Sequence, residues 1–322
     1  MKYIMIPDVA QHVSRIVLGG SGKIFSSGSD VGELIEGALA CGINTVDTAR
    51  AYGESEKAIG RWLTHGNRRE KIVLISKGCH PNMAFHKRVN AKAAADDLKR
   101  SLEGLNTKQI DIYFLHRDDE SIPVGAIVDF LNQHYEEGRI GAFGGSNWSA
   151  DRISQANAYA ARHGLKGFSV SSPHYSLGWQ RHDPWGNGCK TITGSKHAKE
   201  RAFYIETQMP VFAWSSLCGG IFSGKLTHES WKSLQKVFGF NTKWGYGSQD
   251  NRERLFRCEK LAEEKDVTVA QIALAWLLSG PINTLPIISA SDPARLQENA
   301  KAAEIQLTLS ECAYLNLEIG TY

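Results

Sequence analysis

The sequence has few of the features that mark disulfide-rich, membrane-bound or zinc-binding proteins. It contains six cysteines in 322 residues, and no two of them have C-x-x-C spacing. A disulfide framework and a structural zinc site are therefore not expected. No apolar run reaches the length of about 18 residues that a transmembrane helix needs, and the first residues lack the pattern of a signal peptide. We expect a cytoplasmic protein with reduced thiols and no metal centre.

A strong charge of either sign is also missing. Lys and Arg number 37 and Asp and Glu number 34, which gives a net charge of +3. So small an excess, without a basic cluster, argues against a nucleic-acid or membrane partner. Hydrophobic residues make up 42% and charged residues 22% of the chain, as is typical of a folded globular protein.

What the sequence does contain is a series of short apolar runs rich in β-branched residues. The eight runs are residues 15–20, 44–49, 71–78, 111–117, 140–147, 167–175, 210–216 and 283–289. Continuous runs of this kind are typical of strands buried on both faces of a parallel sheet. Helical patterns lie between them, so we predict an α/β fold, a single (β/α)₈ TIM barrel domain over residues 1–322. A doubly wound open sheet is the alternative.

Local signals place several helices and loops. Ser121 is in a position to cap a helix that has Pro123 near its first turn, and a second helix begins at Ser149 and ends at Gly164. The interval between the seventh and eighth runs is long and indicates an insertion. Residues 176–200 are rich in Gly, Trp and polar residues, and we predict a long loop there on the carboxyl-terminal mouth of the barrel.

Ionisable residues stand at the ends of successive runs. Run two ends in Asp47 with Tyr52 just after it, run three ends in Lys77, and run four ends in His116. In such a barrel the carboxyl ends of the strands form the active-site face. Four residues of different chemistry at successive strand ends are unlikely to meet there by accident, so we predict that they form a catalytic set.

The pKa values of these side chains indicate that the set can transfer a proton. A Tyr has a pKa of about 10, and a neighbouring ammonium lowers it. Lys77 is placed to supply that ammonium to Tyr52, with Asp47 holding it, and His116 can hydrogen-bond a carbonyl or alcohol oxygen. The set moves a proton at oxygen but has no source of electrons, so hydride chemistry would require a nicotinamide cofactor.

These residues lie in segments that resemble the aldo-keto reductase superfamily over essentially the whole chain. The motifs are GINTVDTARAYGESEKAIGRWL, VLISKG, IDIYFLHR, GGSNWS, VFAWSSLCGGIFSGK and ISASDPARLQENAKA. The resemblance implies that Tyr52 donates a proton to a carbonyl, that Lys77 and Asp47 tune it, and that His116 orients the substrate.

The resemblance also implies a binding track for the cofactor. Its expected members are Ser146 and Asn147 at the carboxamide, Trp214, Ser215, Leu217, Gly219, Ser223 and Lys225 along the pyrophosphate, and Ser291, Arg295, Glu298 and Asn299 at the adenosine end. A guanidinium suits a 2′-phosphate, so NADP(H) is the preferred cofactor, with NAD(H) not excluded.

Three details of this track stay open. Ser172 stands where the family often has a Gln that contacts the carboxamide, and Ser289 stands where many members have a Lys near the 2′-phosphate. The departure at Ser172 leaves the placement of the nicotinamide open, and the departure at Ser289 predicts a weaker preference for NADP(H). The aromatic ring that stacks on the nicotinamide is either Tyr175 or Trp214.

A nucleoside triphosphatase with a P-loop is excluded by one residue. Residues 219–226, GGIFSGKL, follow the pattern G-x-x-x-x-G-K, but Leu226 replaces the Ser or Thr that would bind Mg²⁺. Glycines and a lysine in this place still suit a pyrophosphate.

The function that follows is an NADP(H)-dependent carbonyl reductase or alcohol dehydrogenase acting on a small molecule. The alternative is a cofactor-binding regulatory module, since potassium-channel β subunits resemble the same family. Candidate substrate contacts are Phe85, Trp148, Trp179, Trp185, His80 and Arg117. Such a pocket would suit a sugar, or equally a small aldehyde or ketone, and the oligomeric state stays open.

Overall fold

The strands of the protein were located in a computed structural model that describes residues 1–82, 86–186 and 188–322. Two short strands near the N-terminus, β1 (Tyr3–Ile4) and β2 (Val13–Ser14), pair in antiparallel orientation. The strands that follow in the described chain are β3 Val17–Gly19, β4 Thr45–Asp47, β5 Val73–Gly78, β6 Ile110–Leu115, β7 Ile140–Ser146, β8 Val170–Ser172, β9 Val211–Ala213 and β10 Thr284–Ile288.

Strands β3 to β10 form a closed barrel of eight parallel strands. They lie side by side in chain order, and β10 closes the barrel by pairing with β3, Ile287 beside Val17. Each of the eight predicted runs contains or overlaps one of these strands. The predicted (β/α)₈ fold is thereby confirmed, whereas the assignment of the whole chain to one domain stays a prediction.

The alternation of side chains along β6 shows how the two layers of the core arise. Ile112 and Phe114 belong to the cluster that fills the inside of the barrel, together with Phe212 of β9. Tyr113 and Leu115 belong to the outer cluster between strands and helices. Successive side chains of a strand point to opposite faces, and both faces are covered here. Because the interior is packed, functional side chains are confined to the ends of the strands.

Helices surround the barrel. In the described chain they are α1 Lys23–Ser26, α2 Gly32–Ala40, α3 Ser55–Leu63, α4 Ala91–Gly104, α5 Val124–Glu136, α6 Ala150–His163, α7 Ala198–Thr207, α8 Leu234–Tyr246, α9 Gln249–Glu264, α10 Val269–Ser279, α11 Pro293–Ala300 and α12 Leu309–Leu315. In the described ranges, no helix is both long and apolar enough to cross a bilayer.

Capping explains the start and end of α6. The Ser149 side chain accepts a hydrogen bond from the backbone N–H of Arg152 at 3.3 Å. Gly164 ends the helix in the left-handed region, with φ of 66°, where glycine carries no steric penalty. Both boundaries agree with the prediction.

The predicted cap of α5 is wrong. The helix begins at Val124, with Pro123 in the capping position, and the Ser121 hydroxyl instead donates to Asp119 Oδ1 at 2.7 Å. A proline disfavours the helical conformation in the residue before it, so the helix cannot extend back to Ser121.

The mouth of the barrel carries the long segments. The loop predicted over residues 176–200 ends earlier, because α7 begins at Ala198 after a 3₁₀ turn, Ser195–His197. Within it Thr191 forms an isolated bridge to His174, which ties the loop to the end of β8. The insertion predicted between the seventh and eighth strands contains α8 and α9, which precede α10.

Candidate active site

Four predicted side chains meet at the carboxyl ends of β4, β5 and β6. Asp47 is the last residue of β4, Lys77 lies near the end of β5, His116 follows β6, and Tyr52 lies in the turn before α3. Parallel strands that are neighbours in the barrel bring these positions to one edge. Asp47, Lys77 and His116 are buried, and Tyr52 is partly exposed.

Lys77 is at the centre of the group. Its ammonium forms an ion pair with the Asp47 carboxylate and donates to the carbonyl oxygen of Thr48 at 2.9 Å. The same nitrogen lies 4.9 Å from the centre of the Tyr52 ring. The rings of Tyr52 and His116 meet edge to face, with centroids 5.6 Å apart. The structure thus brings the four residues together, while their roles stay predictions.

Burial decides the direction of the Tyr52 pKa. Partial removal of the Tyr52 side chain from water raises its pKa above the usual value, and Lys77 only partly opposes this. The lowered pKa predicted from the neighbouring Lys77 alone is therefore wrong in direction. The raised pKa keeps the phenol protonated at neutral pH.

The other groups respond to the same environment. Burial is the largest single influence on Lys77 and opposes its charge, but Asp47 and Tyr52 together outweigh burial, and the pKa of Lys77 is raised. Burial also raises the pKa of Asp47, with Lys77 acting against it. Burial, followed by the charges of Lys77 and Arg117, holds the pKa of His116 well below its usual value. His116 is therefore a neutral imidazole at physiological pH.

The expected carboxamide contacts form a connected set at the ends of β7 and β8. The Ser146 hydroxyl donates to the carbonyl oxygen of Ser172 at 3.0 Å. Asn147 has a φ of 63°, and its side chain donates to the His116 carbonyl at 3.3 Å and accepts the Lys190 N–H at 3.1 Å. The Asn147 amide is thus linked both to the histidine strand and to the mouth loop.

The two candidate stacking rings lie in different surroundings. Tyr175 is buried in the outer core, with its ring centroid 5.4 Å from that of Trp276. Trp214 is partly exposed at the mouth, and its buried Nε1 has no hydrogen-bond partner in the described chain. This arrangement favours Trp214 as the ring available to a ligand.

The segment after β9 has a backbone suited to an anion. Ser215, Cys218, Gly219 and Gly220 all have positive φ values, and such turns direct successive N–H groups to one side. Ser223 Oγ is buried and has no partner within the described ranges. Of the other predicted members, Leu217 is partly buried and Lys225 is exposed.

The predicted adenosine contacts lie on and before α11. Arg295 forms an ion pair with Glu298 at 3.0 Å, and Ser291 is exposed. Asn299 is buried, and its Oδ1 has no hydrogen-bond partner in the described part of the chain. A buried acceptor of this kind suits a donor from a ligand.

These groups form a track around the barrel mouth that fits a nicotinamide dinucleotide. They follow β7, β8, β9 and β10, which are consecutive neighbours in the barrel. The unpartnered atoms Ser223 Oγ and Asn299 Oδ1 lie in two different parts of this track, where a pyrophosphate and an adenine are expected. The residues present therefore fit the cofactor.

Comparison with known proteins identifies the family. The family model described as the aldo/keto reductase family matches residues 15–317. The chain belongs to this family. Its relatives include the uncharacterized oxidoreductase YrpG of Bacillus subtilis, 28% identical over 98% of this chain and 95% of the relative.

Two further relatives carry more specific names. One is a probable voltage-gated potassium channel subunit beta of Arabidopsis thaliana, 28% identical over 82% of this chain and 79% of the relative. The other is the versiconal hemiacetal acetate reductase of Aspergillus parasiticus, 26% identical over 98% of this chain and 96% of the relative. Family membership, together with the oxidoreductase YrpG and the hemiacetal acetate reductase among the relatives, supports oxidoreductase chemistry.

The predicted substrate contacts of this aldo/keto reductase divide into two groups. His80 packs against the His116 ring, with centroids 4.7 Å apart, and Arg117 is bonded to the His116 carbonyl. Trp148 is not exposed at the mouth, because it is buried in the core against Phe168.

The remaining aromatic candidates lie on the mouth loop or outside the described residues. Trp179 stacks on the guanidinium of Arg254, 4.2 Å from the ring centre, and Trp185 is exposed. Phe85 falls outside the residues that the structure describes.

Two residues of the mouth were not predicted from the sequence. His174 is fully buried between the rings of Trp214 and Tyr246, and its Nδ1 is 2.8 Å from the Thr191 hydroxyl. Cys189 contacts Arg117 through its sulfur. The position of His174 directly before Tyr175 was the available signal, but the two rings that enclose it are distant in sequence.

Proposed function

We propose that this chain is an NADP(H)-dependent oxidoreductase that interconverts an aldehyde or ketone, including that of a sugar, with the matching alcohol. The observation that carries the proposal is the contact of Lys77 with Asp47 and Tyr52 at the mouth of the barrel. The cofactor, when bound, supplies a hydride to the carbonyl carbon or accepts one from the alcohol.

Tyr52 is the proposed proton donor. Its raised pKa keeps the proton on the phenol at neutral pH until the carbonyl oxygen gains negative charge. The Tyr52 O–H bond then breaks as the proton passes to that oxygen. The Lys77 ammonium stabilises the phenolate that remains, which regains its proton from water.

His116 orients the carbonyl in this proposal. The imidazole is neutral because its pKa lies well below the usual value, so one ring nitrogen carries a hydrogen to donate and the other accepts. A neutral donor polarises the carbonyl without replacing Tyr52 as the acid.

The cofactor proposal extends along the track described above. Ser146, Asn147 and Ser172 would hold the carboxamide, and Trp214 would stack on the ring. The pyrophosphate would be followed by Trp214, Ser215, Leu217, Gly219, Ser223 and Lys225, and the adenosine end would be held by Ser291, Arg295, Glu298 and Asn299.

The proposed preference for NADP(H) rests on the charge of Arg295. Because Arg295 is already paired with Glu298, the 2′-phosphate would compete with that carboxylate. We expect a preference over NAD(H) of about tenfold, at the lower end for a hydrogen bond to a charged group.

A cytoplasmic location stays a prediction.

The test is the loss of near-ultraviolet NADPH absorbance with the purified chain and a panel of aldehydes, ketones and sugars, with NADH in parallel. We expect turnover, faster with NADPH at limiting cofactor. Consumption of neither cofactor with any member of the panel would contradict the enzymatic proposal.

A regulatory module is the second candidate, and the similarity to a potassium channel subunit beta is the observation that favours it. That function predicts tight cofactor binding, slow cofactor release and no turnover. The complete set of Asp47, Tyr52, Lys77 and His116 favours the enzyme.

A further inference from the structure

Arg117 is a buried cation beside the proposed reaction centre. Its exposure is 7%. One terminal nitrogen donates to the His116 carbonyl at 2.8 Å and the other contacts Cys189 Sγ at 3.1 Å. Its Nε is buried and has no hydrogen-bond partner among the residues that the structure describes.

The neighbouring carboxylates in the chain are committed to other groups. Asp118 is paired with Arg152 at 3.0 Å, and Glu120 lies 3.8 Å from Lys190. Within the described ranges, no carboxylate forms an ion pair with Arg117. Its two hydrogen-bond partners, a carbonyl and a thiol, are both neutral.

The residues outside the described ranges do not supply the missing charge. They are Met83, Ala84, Phe85 and Asn187, and none of them has a carboxylate side chain. A buried guanidinium without a counter-charge is costly to a folded protein, so an anionic ligand would satisfy a requirement that the chain itself leaves open.

The guanidinium also acts on the groups of the reaction centre. Its charge contributes to the low pKa of His116 and opposes the rise in the pKa of Tyr52. His80, whose ring contacts that of His116, is half-buried. Arg117 and His80 are therefore both neighbours of His116, the residue that would orient the carbonyl.

We infer that Arg117 binds an anionic group, a carboxylate or a phosphate, carried by the carbonyl substrate. The inference rests on the proposed oxidoreductase function and narrows its substrates to oxo acids or phosphorylated carbonyl compounds. The Nε–H has no partner within the described residues. Together with one terminal N–H that leaves its present partner, it can bind the two oxygens of a carboxylate or phosphate.

The first test compares matched substrates with the wild-type holoenzyme. Butanal is paired with 4-oxobutanoate, and glyceraldehyde with glyceraldehyde 3-phosphate. We expect kcat/KM to be about 10- to 100-fold higher for the charged member of one pair, and the pair that shows it distinguishes carboxylate from phosphate. Turnover without preference for either charged member would overturn the inference and leave the proposed function standing.

The second test changes the cation. Arg117→Gln should reduce the charged-to-neutral ratio by about 10-fold or more, mainly through KM, and Arg117→Lys should retain part of the preference. Arg162→Gln, an exposed position on α6, is the matched control and should leave the ratio unchanged. An unchanged ratio in Arg117→Gln would overturn the inference.

A binding measurement separates this inference from the proposed function. The NADP⁺-loaded protein is titrated calorimetrically with 4-hydroxybutanoate and with glycerol 3-phosphate, wild type against Arg117→Lys. Binding of one probe that weakens about 10-fold in the variant supports the anion site even if every substrate panel shows no turnover. Absence of binding of both probes overturns the site even if neutral carbonyls are reduced.

Discussion

At the scale of single residues, one carboxylate opposes the proposed cofactor preference. Asp292 caps α11, accepting the backbone N–H of Arg295 at 2.9 Å and the hydroxyl of Ser291 at 2.8 Å. It therefore occupies two donors at the place where the 2′-phosphate is expected, and its charge repels that phosphate.

Asp292→Asn should strengthen the preference for NADPH over NADH. The amide oxygen keeps the cap, while the loss of one exposed charge is worth about threefold in relative affinity. The ratio of dissociation constants from fluorescence titration measures this effect. Asp151→Asn, in the first turn of α6, is the control, and an equal ratio in Asp292→Asn and wild type would contradict the expectation.

The sequence identified residue types better than residue environments. Asp47, Lys77 and His116 were found because strand ends can be read from apolar runs. The direction of the shift in the Tyr52 pKa was not predicted, because it depends on how much water the folded mouth of the barrel excludes. His174 was missed because its contacts, Trp214 and Tyr246, are joined to it only by the fold.

At the scale of elements, the strands were predictable and several boundaries were not. A strand buried on both faces leaves a continuous apolar run, so all eight were found. Helix α5 begins three residues after Ser121 because of Pro123. The mouth loop 176–200 has no periodic signal that could locate the start of α7 at Ala198.

The turn after β9 offers a steric test of the proposed pyrophosphate segment. Gly220 has a φ of 101°, and a Cβ there would lie 2.7 Å from the Phe238 ring. Gly220→Ala should cost about 2–4 kcal/mol of unfolding free energy, combining backbone strain and overpacking. We also expect NADPH to bind at least about tenfold more weakly, since the turn must shift.

Gly224→Ala is the matched control for this turn. Gly224 has a φ of 80°, and a Cβ there would meet no heavy atom within 4 Å among those described. Only the strain of about 1–2 kcal/mol should remain. Equal losses in the two variants, measured by denaturant unfolding, would contradict the steric argument.

At the scale of the whole molecule, buried histidines make stability depend on pH. Burial lowers the pKa of His174 to about 3, whereas an unfolded imidazole has a pKa of about 6.5. Below about pH 6.5 the unfolded chain binds a proton at this imidazole that the folded chain does not bind. The free energy of unfolding therefore falls as the pH falls from about 6.5 towards the folded pKa. Above about pH 6.5 the contribution of His174 to stability is constant.

Between pH 7 and pH 5, His174 should account for about 2 kcal/mol of lost stability. Urea unfolding of wild type and His174→Asn at both pH values measures this contribution. The wild type should lose about 2 kcal/mol more than the variant. Equal losses would show that His174 is not buried as a neutral group.

The proposed proton transfer is tested most directly by Tyr52→Phe. With the best carbonyl substrate and NADPH, kcat should fall at least about 100-fold because the donor is removed, while NADPH titration should still show binding. Tyr3→Phe, in β1, controls for the loss of a phenol elsewhere and should retain turnover. A Tyr52→Phe protein that turns over at the wild-type rate would contradict the account.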